Sequence, residues 1–100
     1  MRYHLTLFRF ALPTIDRTGD SCLSFAYHMF GHHINSLTVL HNNIAVWQAV
    51  GQQNDVKNWL TAVVSVTLVG NDVIVFEARV GDAFSGDISV DKIKLTAGRC

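Results

Sequence analysis

Cys22-Leu23-Ser24-Phe25-Ala26-Tyr27-His28-Met29-Phe30 alternates in character: Leu23, Phe25, Tyr27 and Met29 fall on one side of an extended chain, Ser24, Ala26 and His28 on the other. A period of two is that of a half-buried β-strand, because successive Cβ atoms of an extended backbone point to opposite faces. Downstream, residues 37–41 and 44–50 are two β-rich runs separated by Asn42-Asn43, a pair that tolerates the positive φ of a tight hairpin. From Trp59, the residues Ala62, Val64, Val66 and Leu68 alternate with Thr61, Ser65 and Thr67, while Val63 and Val69 blur the polar side. Gly70-Asn71-Asp72 supplies a turn into residues 73–80, which predicts a second hairpin. The last strand, over 87–95, changes phase: Ile88 and Val90 share one parity, Ile93 and Leu95 the other, as a β-bulge near Asp91-Lys92 would produce. Upstream, residues 3–12 predict a strand of about eight residues ending at Pro13. Residues 14–20, 31–35, 51–58 and 81–86 read as loops.

Seven short strands at this spacing predict an all-β sandwich or barrel. Composition agrees: 12 Val, 6 Ile and 7 Thr make a quarter of the chain β-branched, against one Glu and three Lys. Such side chains are stiff at χ1 and suit a pleated surface better than a helix. One hundred residues make a single domain with a modest core, for which Leu23, Phe25, Tyr27, Trp47, Trp59, Val64, Phe76 and Ile88 are the candidates. With 49% hydrophobic and 16% charged residues the chain lies in the globular range. Eight basic residues balance eight acidic ones, so no net field attracts nucleic acid or an anionic membrane. No apolar run reaches the length of a membrane span. The opening residues do not read as a signal peptide, since Thr6 and Arg9 interrupt any apolar core and no small-residue cleavage site follows.

Few residues offer chemistry. His28, His32 and His33 have a spacing that binds zinc on a helix, but here His28 belongs to a strand and the others to the following loop. Glu77, Asp82, Asp87 and Asp91 crowd the last third, and Glu77, Asp87 and Asp91 are the candidate ligands for a hard cation, Ca²⁺ or Na⁺; no other cofactor is expected. The plainer reading has Asp82 and Asp87 capping loops. No Ser, His and Asp arrangement, phosphate-binding glycine loop or N-x-S/T acceptor is legible, so no enzyme is expected. Trp47 or Trp59 on the surface could stack a sugar, and Arg79 could contact a partner, although core and solvated strand end are the simpler assignments.

Cys22 and Cys100 stand 78 positions apart, which fits neither a C-x-x-C redox pair nor a zinc ribbon. A disulfide is the natural use, and two free thiols in a cytosolic protein the alternative.

Several runs resemble one family. Residues 22–31 with Ile34 and Leu37-Thr38-Val39 are similar to the central strand of MAM domains, named for meprin, the A5 neuropilin antigen and the mu-type receptor phosphatase. So are Val75-Phe76-Glu77-Ala78, Gly81, residues 86–91, Ile93, Leu95 and the closing Gly98-Arg99-Cys100. Trp47, residues 59–62, Val64 and Leu68 resemble the family's two tryptophan-bearing strands, and residues 5–13 the strand before its central cysteine. The resemblance implies an antiparallel, jelly-roll-like β-sandwich with Cys22 paired to Cys100. It also implies that residues 1–100 are the C-terminal two-thirds of one such domain, incomplete at the N-terminus, with open sheet edges. Two positions depart from the family: Lys92 stands where a second acid follows Asp91, which weakens a cation site there, and Ala26 where an aromatic is usual.

The function implied is that of an extracellular adhesion or recognition module of a larger membrane or secreted protein. Its partners would be other protein ectodomains or a second copy of itself, with membrane contact only through other parts of the parent, whose signal sequence lies outside this chain. The rival expectations are a carbohydrate-binding jelly roll and an accessory domain of a secreted protease.

Overall fold

A computed structural model describes residues 2–5, 9–30, 34–50, 58–80 and 87–100, with side chains at 9–29, 36–50, 58–79 and 88–100. Residues 51–57 of the predicted loop 51–58 and the whole predicted loop 81–86, with His32, His33 and Asp82, lie outside the described residues. Eight strands run in order: β1 (Arg2–Leu5), β2 (Arg9–Ala11), β3 (Thr18–Phe30), β4 (Ile34–His41), β5 (Ile44–Val50), β6 (Leu60–Val69), β7 (Ile74–Val80) and β8 (Asp87–Ala97). They form two four-stranded antiparallel sheets, β1-β8-β3-β6 and β2-β7-β4-β5. The first strand pairs with the last, the second with the seventh, the third with the sixth and the fourth with the fifth. That is a two-stranded ribbon folded at the β4–β5 turn and rolled up, which is the jelly-roll topology.

The alternation in the sequence sets what lies between the sheets. Leu23, Phe25, Tyr27 and Met29 of β3 and Ala62, Val64, Val66 and Leu68 of β6 face Leu37 and Val39 of β4 and Ile74, Phe76 and Ala78 of β7. Ile88 and Val90 of β8 complete this core. Phe25 and Phe76 meet edge to face across the gap, with ring centroids 5.1 Å apart, and Phe10 stacks on Phe76 at 5.2 Å. Each fully buried large side chain contributes roughly 1.5–3 kcal/mol through lost apolar surface.

Two turns and a bulge obey the sequence, and two connections do not. Asn42 and Asn43 take φ of 50° and 68°, the left-handed pair that a two-residue hairpin needs. The bulge in β8 is present: Ser24 pairs with Lys94 and Ala26 with Asp91, so two residues of β8 oppose Phe25, and Lys92 adopts φ 54°. Gly70 and Asn71 also turn with positive φ. However, the hairpin predicted there is an arch, since β6 belongs to the first sheet and β7 to the second. Alternation specifies which face of each strand is buried, and an arch satisfies it as well as a hairpin does. The single strand predicted over 3–12 is two short ones, β1 and β2, in different sheets, and its poor period reflects that crossing. Finally, β3 begins at Thr18 rather than Cys22, since Thr18 to Ser21 pair in register with Val69 to Val66 of β6, with Gly19 at φ 108° accommodated among them.

Candidate interaction surface

The outer face of the second sheet carries an ordered polar row. Arg9 of β2, Glu77 of β7, Thr38 of β4 and Gln48 of β5 are consecutive cross-strand partners, so they lie side by side across all four strands. The Gln48 amide donates to Thr38 Oγ1 at 2.9 Å. Glu77 lies 3.6 Å from the Arg9 guanidinium and 3.8 Å from that of Arg79. Both arginines are more than half exposed, so each ion pair contributes at most about 1 kcal/mol to stability. The pairs instead fix orientation, and two guanidiniums around one carboxylate leave this face locally positive.

At one end of the sandwich the β6–β7 arch meets the β4–β5 hairpin. Asp72 has no accessible surface; its Oδ1 accepts the backbone N–H groups of Val69 (3.0 Å) and Gly70 (2.7 Å), and its Oδ2 lies 2.6 Å from His41 Nε2 and 3.1 Å from Asn42 Nδ2. Asn42 in turn accepts from Val73 N through its Oδ1 at 2.9 Å. The ordinary use of such a carboxylate, fully engaged with structural donors, is to hold a connection in place. Sequence reasoning missed this cluster, because its two halves read as separate turns 30 residues apart.

On the outer face of the first sheet, a shallow cavity of about 160 Å³ is lined by Ser24, Phe25, Ala26, Thr61, Lys92 and Lys94 beside the β8 bulge. The disulfide lies on this face too. Cys22 shares the outward parity of Ser24 and Ala26, and Cys100 reaches it from the tail after β8, with Cα atoms 4.8 Å apart. Gly98, at φ 94°, turns that tail, and its N–H donates to Asp20 O at 2.8 Å. Arg99 approaches Asp20 Oδ2 at 3.4 Å. The bond therefore ties neighbouring parts of one sheet and does not cross the sandwich.

Of the candidate cation ligands, Glu77 is on the second sheet and Asp91 on the first, where its Oδ1 accepts Lys92 N at 2.8 Å; the Asp87 side chain lies outside the described ones. The structure does not bring Glu77 and Asp91 together. Among the described residues no group of three His, Cys, Asp or Glu is arranged to hold a metal. Leu23, Phe25, Tyr27, Val64, Phe76 and Ile88 are in the core; Trp47 is half-buried at its margin, edge-on to Phe25 and Tyr27 at 5.0 Å. Trp59 differs from the expectation. It precedes β6, half-buried, with its ring centroid 5.6 Å from that of His28 on the outer face, because it shares the outward parity of Thr61 and Val63.

Fold and surface together define a disulfide-bonded jelly-roll domain with an ordered polar sheet face. The chain belongs to the MAM family (MAM domain, meprin/A5/mu), whose family model matches residues 4–100. It is similar to human MAM domain-containing glycosylphosphatidylinositol anchor protein 1, 37% identical over 86 residues, covering 79% of this chain and 9% of that protein. It is 38% identical over 76 residues to the MAM and fibronectin type III domain-containing protein 1 of Acropora millepora, covering 76% of this chain and 17% of that one. Mouse MAM domain-containing protein 2 is 34% identical over 88 residues, with 82% and 12% covered. The chain thus spans less than a fifth of the length of these relatives. Among solved structures, the fold is shared with the C-terminal domain of EclA, described as a sugar-binding protein, at TM-score 0.71 and 7% identity, covering 96% of this chain and 77% of that one.

Proposed function

We propose that this chain is an extracellular recognition module that binds protein ectodomains through the outer face of its second sheet and performs no catalysis. The observation that carries the reading is the set Arg9, Glu77, Gln48 and Arg79, polar side chains held in order by cross-strand pairing on the face away from the core, with the buried Thr38 between them accepting from Gln48. An ordered positive face suits an acidic patch on a folded partner, because complementary charge sets register and encounter rate. Membership of the MAM family supports the adhesion-type role, and the Cys22–Cys100 bond supports an oxidising compartment. Sugar binding finds less support in the aromatic residues, since Trp47 and Trp59 both pack against neighbouring rings.

The test is binding of bead-coupled, oxidised chain to intact cells. Binding that disappears when cell-surface proteins are removed with trypsin, and falls at least tenfold for the Arg9→Gln, Arg79→Gln double variant while Tm drops by no more than a few degrees, supports the reading. Binding that survives trypsin but not glycosidase, or is indifferent to the double variant, overturns it.

A further inference from the structure

The shallow cavity on the outer face of the first sheet forms where small side chains meet the β8 bulge. Ala26 of β3 pairs with Thr61 of β6, and two residues along the strand Ser24 pairs with Lys94 of β8. The register shifts between Ser24 and Ala26, and Lys92 joins the cavity lining from the bulge. At about 160 Å³ the cavity is smaller than the roughly 300–1,000 Å³ clefts that enclose a whole small molecule. It suits one compact group projecting from a larger ligand.

The lining is a set of donors: Ser24 and Thr61 supply hydroxyls, Lys92 and Lys94 ammonium groups. Asp91, the other cross-strand partner of Ala26, is turned to the bulge backbone, where its Oδ1 accepts Lys92 N at 2.8 Å. Farther along, Arg99 and Asp20 approach each other at 3.4 Å. Two cations beside one carboxylate leave the cavity locally positive on a chain with no net charge.

Lys92 is the residue that asks for an explanation. At φ 54° it holds a conformation that glycine takes freely and that costs any other residue backbone energy. A bulge by itself needs no lysine there, and strain retained at one position is a pointer to a use for its side chain. Ala26 and Lys92 are also the two positions noted above as departing from the family pattern. An aromatic ring at 26 would fill the cavity, and an acid at 92 would reverse a charge in its lining.

We propose that this cavity binds a sulfate ester group of an extracellular saccharide, with Lys92 and Lys94 as charged donors and Ser24 and Thr61 as neutral ones. Ammonium groups are compact point charges with three donors each and suit a tetrahedral oxyanion, whereas a planar carboxylate is better matched by the fork of an arginine. The Cys22–Cys100 bond fits an oxidising compartment, where sulfate esters are carried by saccharides and phosphate monoesters are scarce. Recognition through charge needs no aromatic platform. The cavity is on the sheet opposite the one that carries Arg9 and Arg79, so this binding goes beyond the ectodomain reading and stands apart from it.

The experiment is an NMR titration of the oxidised, isotope-labelled chain at low salt, to low millimolar ligand, with three probes: a heparin tetrasaccharide, the same saccharide stripped of sulfate, and a hyaluronan tetrasaccharide, which carries carboxylates alone. Only the first is expected to shift the amides of Ser24, Ala26, Thr61, Lys92 and Lys94. Lys92→Gly relieves the strained backbone, so it keeps or raises Tm while it weakens this binding at least tenfold. Ala26→Phe fills the cavity with both lysines in place and also weakens it at least tenfold. The Arg9→Gln, Arg79→Gln variant binds the saccharide like the parent, and Lys92→Gly keeps ectodomain binding, so the two sites fail separately. An equal response to hyaluronan, shifts that map to the second sheet, no response at all, or an Ala26→Phe or Lys92→Gly variant that binds like the parent overturns the proposal. Tighter binding of a tyrosine-sulfated peptide than of the saccharide overturns the assignment of the carrier.

Discussion

His41 Nε2 lies 2.6 Å from Asp72 Oδ2, and this contact joins the end of β4 to the arch that carries the chain from one sheet to the other. A carboxylate can only accept, so the Nε2 atom carries the proton. Removal from water pushes the Asp72 carboxyl up. The hydrogen bonds from His41, Gly70 N–H, Val69 N–H and Asn42 outweigh that and hold it below the ordinary aspartate value.

Acid stability follows from that balance. A carboxyl whose folded pKa is depressed lends stability that is fully present above its unfolded pKa and is lost as pH falls through the folded one. The urea midpoint of the parent chain falls between about pH 4 and pH 2, and Asp72→Asn, less stable at pH 7 by several degrees in Tm, closes the gap over the same window. A difference between the two proteins that is constant from pH 7 to pH 2 refutes this role for Asp72.

Loss of the Cys22–Cys100 bond acts through the unfolded chain. The chain-entropy relation for a loop of this length gives about 4.5 kcal/mol, a large part of a small domain's margin. Denaturant titration of a Cys22→Ser, Cys100→Ser variant should show that loss. A deficit below about 1 kcal/mol means that strand pairing alone already restrains the tail.

Phe76 and Trp59 separate core from surface. Phe76 is fully buried between Phe10 and Phe25, and Phe76→Ala costs about 3–5 kcal/mol. Trp59→Ala removes a half-buried ring on the outer face and costs about 1–2 kcal/mol. Equal losses in thermal unfolding would place Trp59 in the core after all.

Lys92 occupies a left-handed conformation that costs a non-glycine residue roughly 1 kcal/mol. Lys92→Gly should therefore leave stability unchanged or raise it by up to about 1 kcal/mol. A loss greater than that means the lysine side chain itself holds the bulge.

The sequence shows the inward residues of β3 and β6 plainly, since a period of two is read from the chain alone. Asn42-Asn43 announces its hairpin because positive φ selects asparagine, and the phase change from Val90 to Ile93 exposes the bulge. What is hidden is which strand sits beside which. Gly70-Asn71-Asp72 is equally good turn chemistry for a hairpin and for an arch, so the sheet assignment of β7 depends on contacts 30 or more residues away. The Asp72 cluster and the row from Arg9 to Gln48 are hidden for the same reason: each gathers residues from separate strands that only the rolled ribbon makes neighbours.

The pairing of first strand with last also orders events in time. The β4–β5 hairpin closes across two asparagines, whereas β1 must find β8 across most of the chain, and the entropy of closure grows with that distance. Folding should begin at the hairpin and zip outward. Pulse-labelled amides of β4 and β5 should then gain protection before those of β8. In that order of events Cys22 would stay a thiol until β8 docks against β3, so that oxidation would seal a finished sheet rather than guide its assembly.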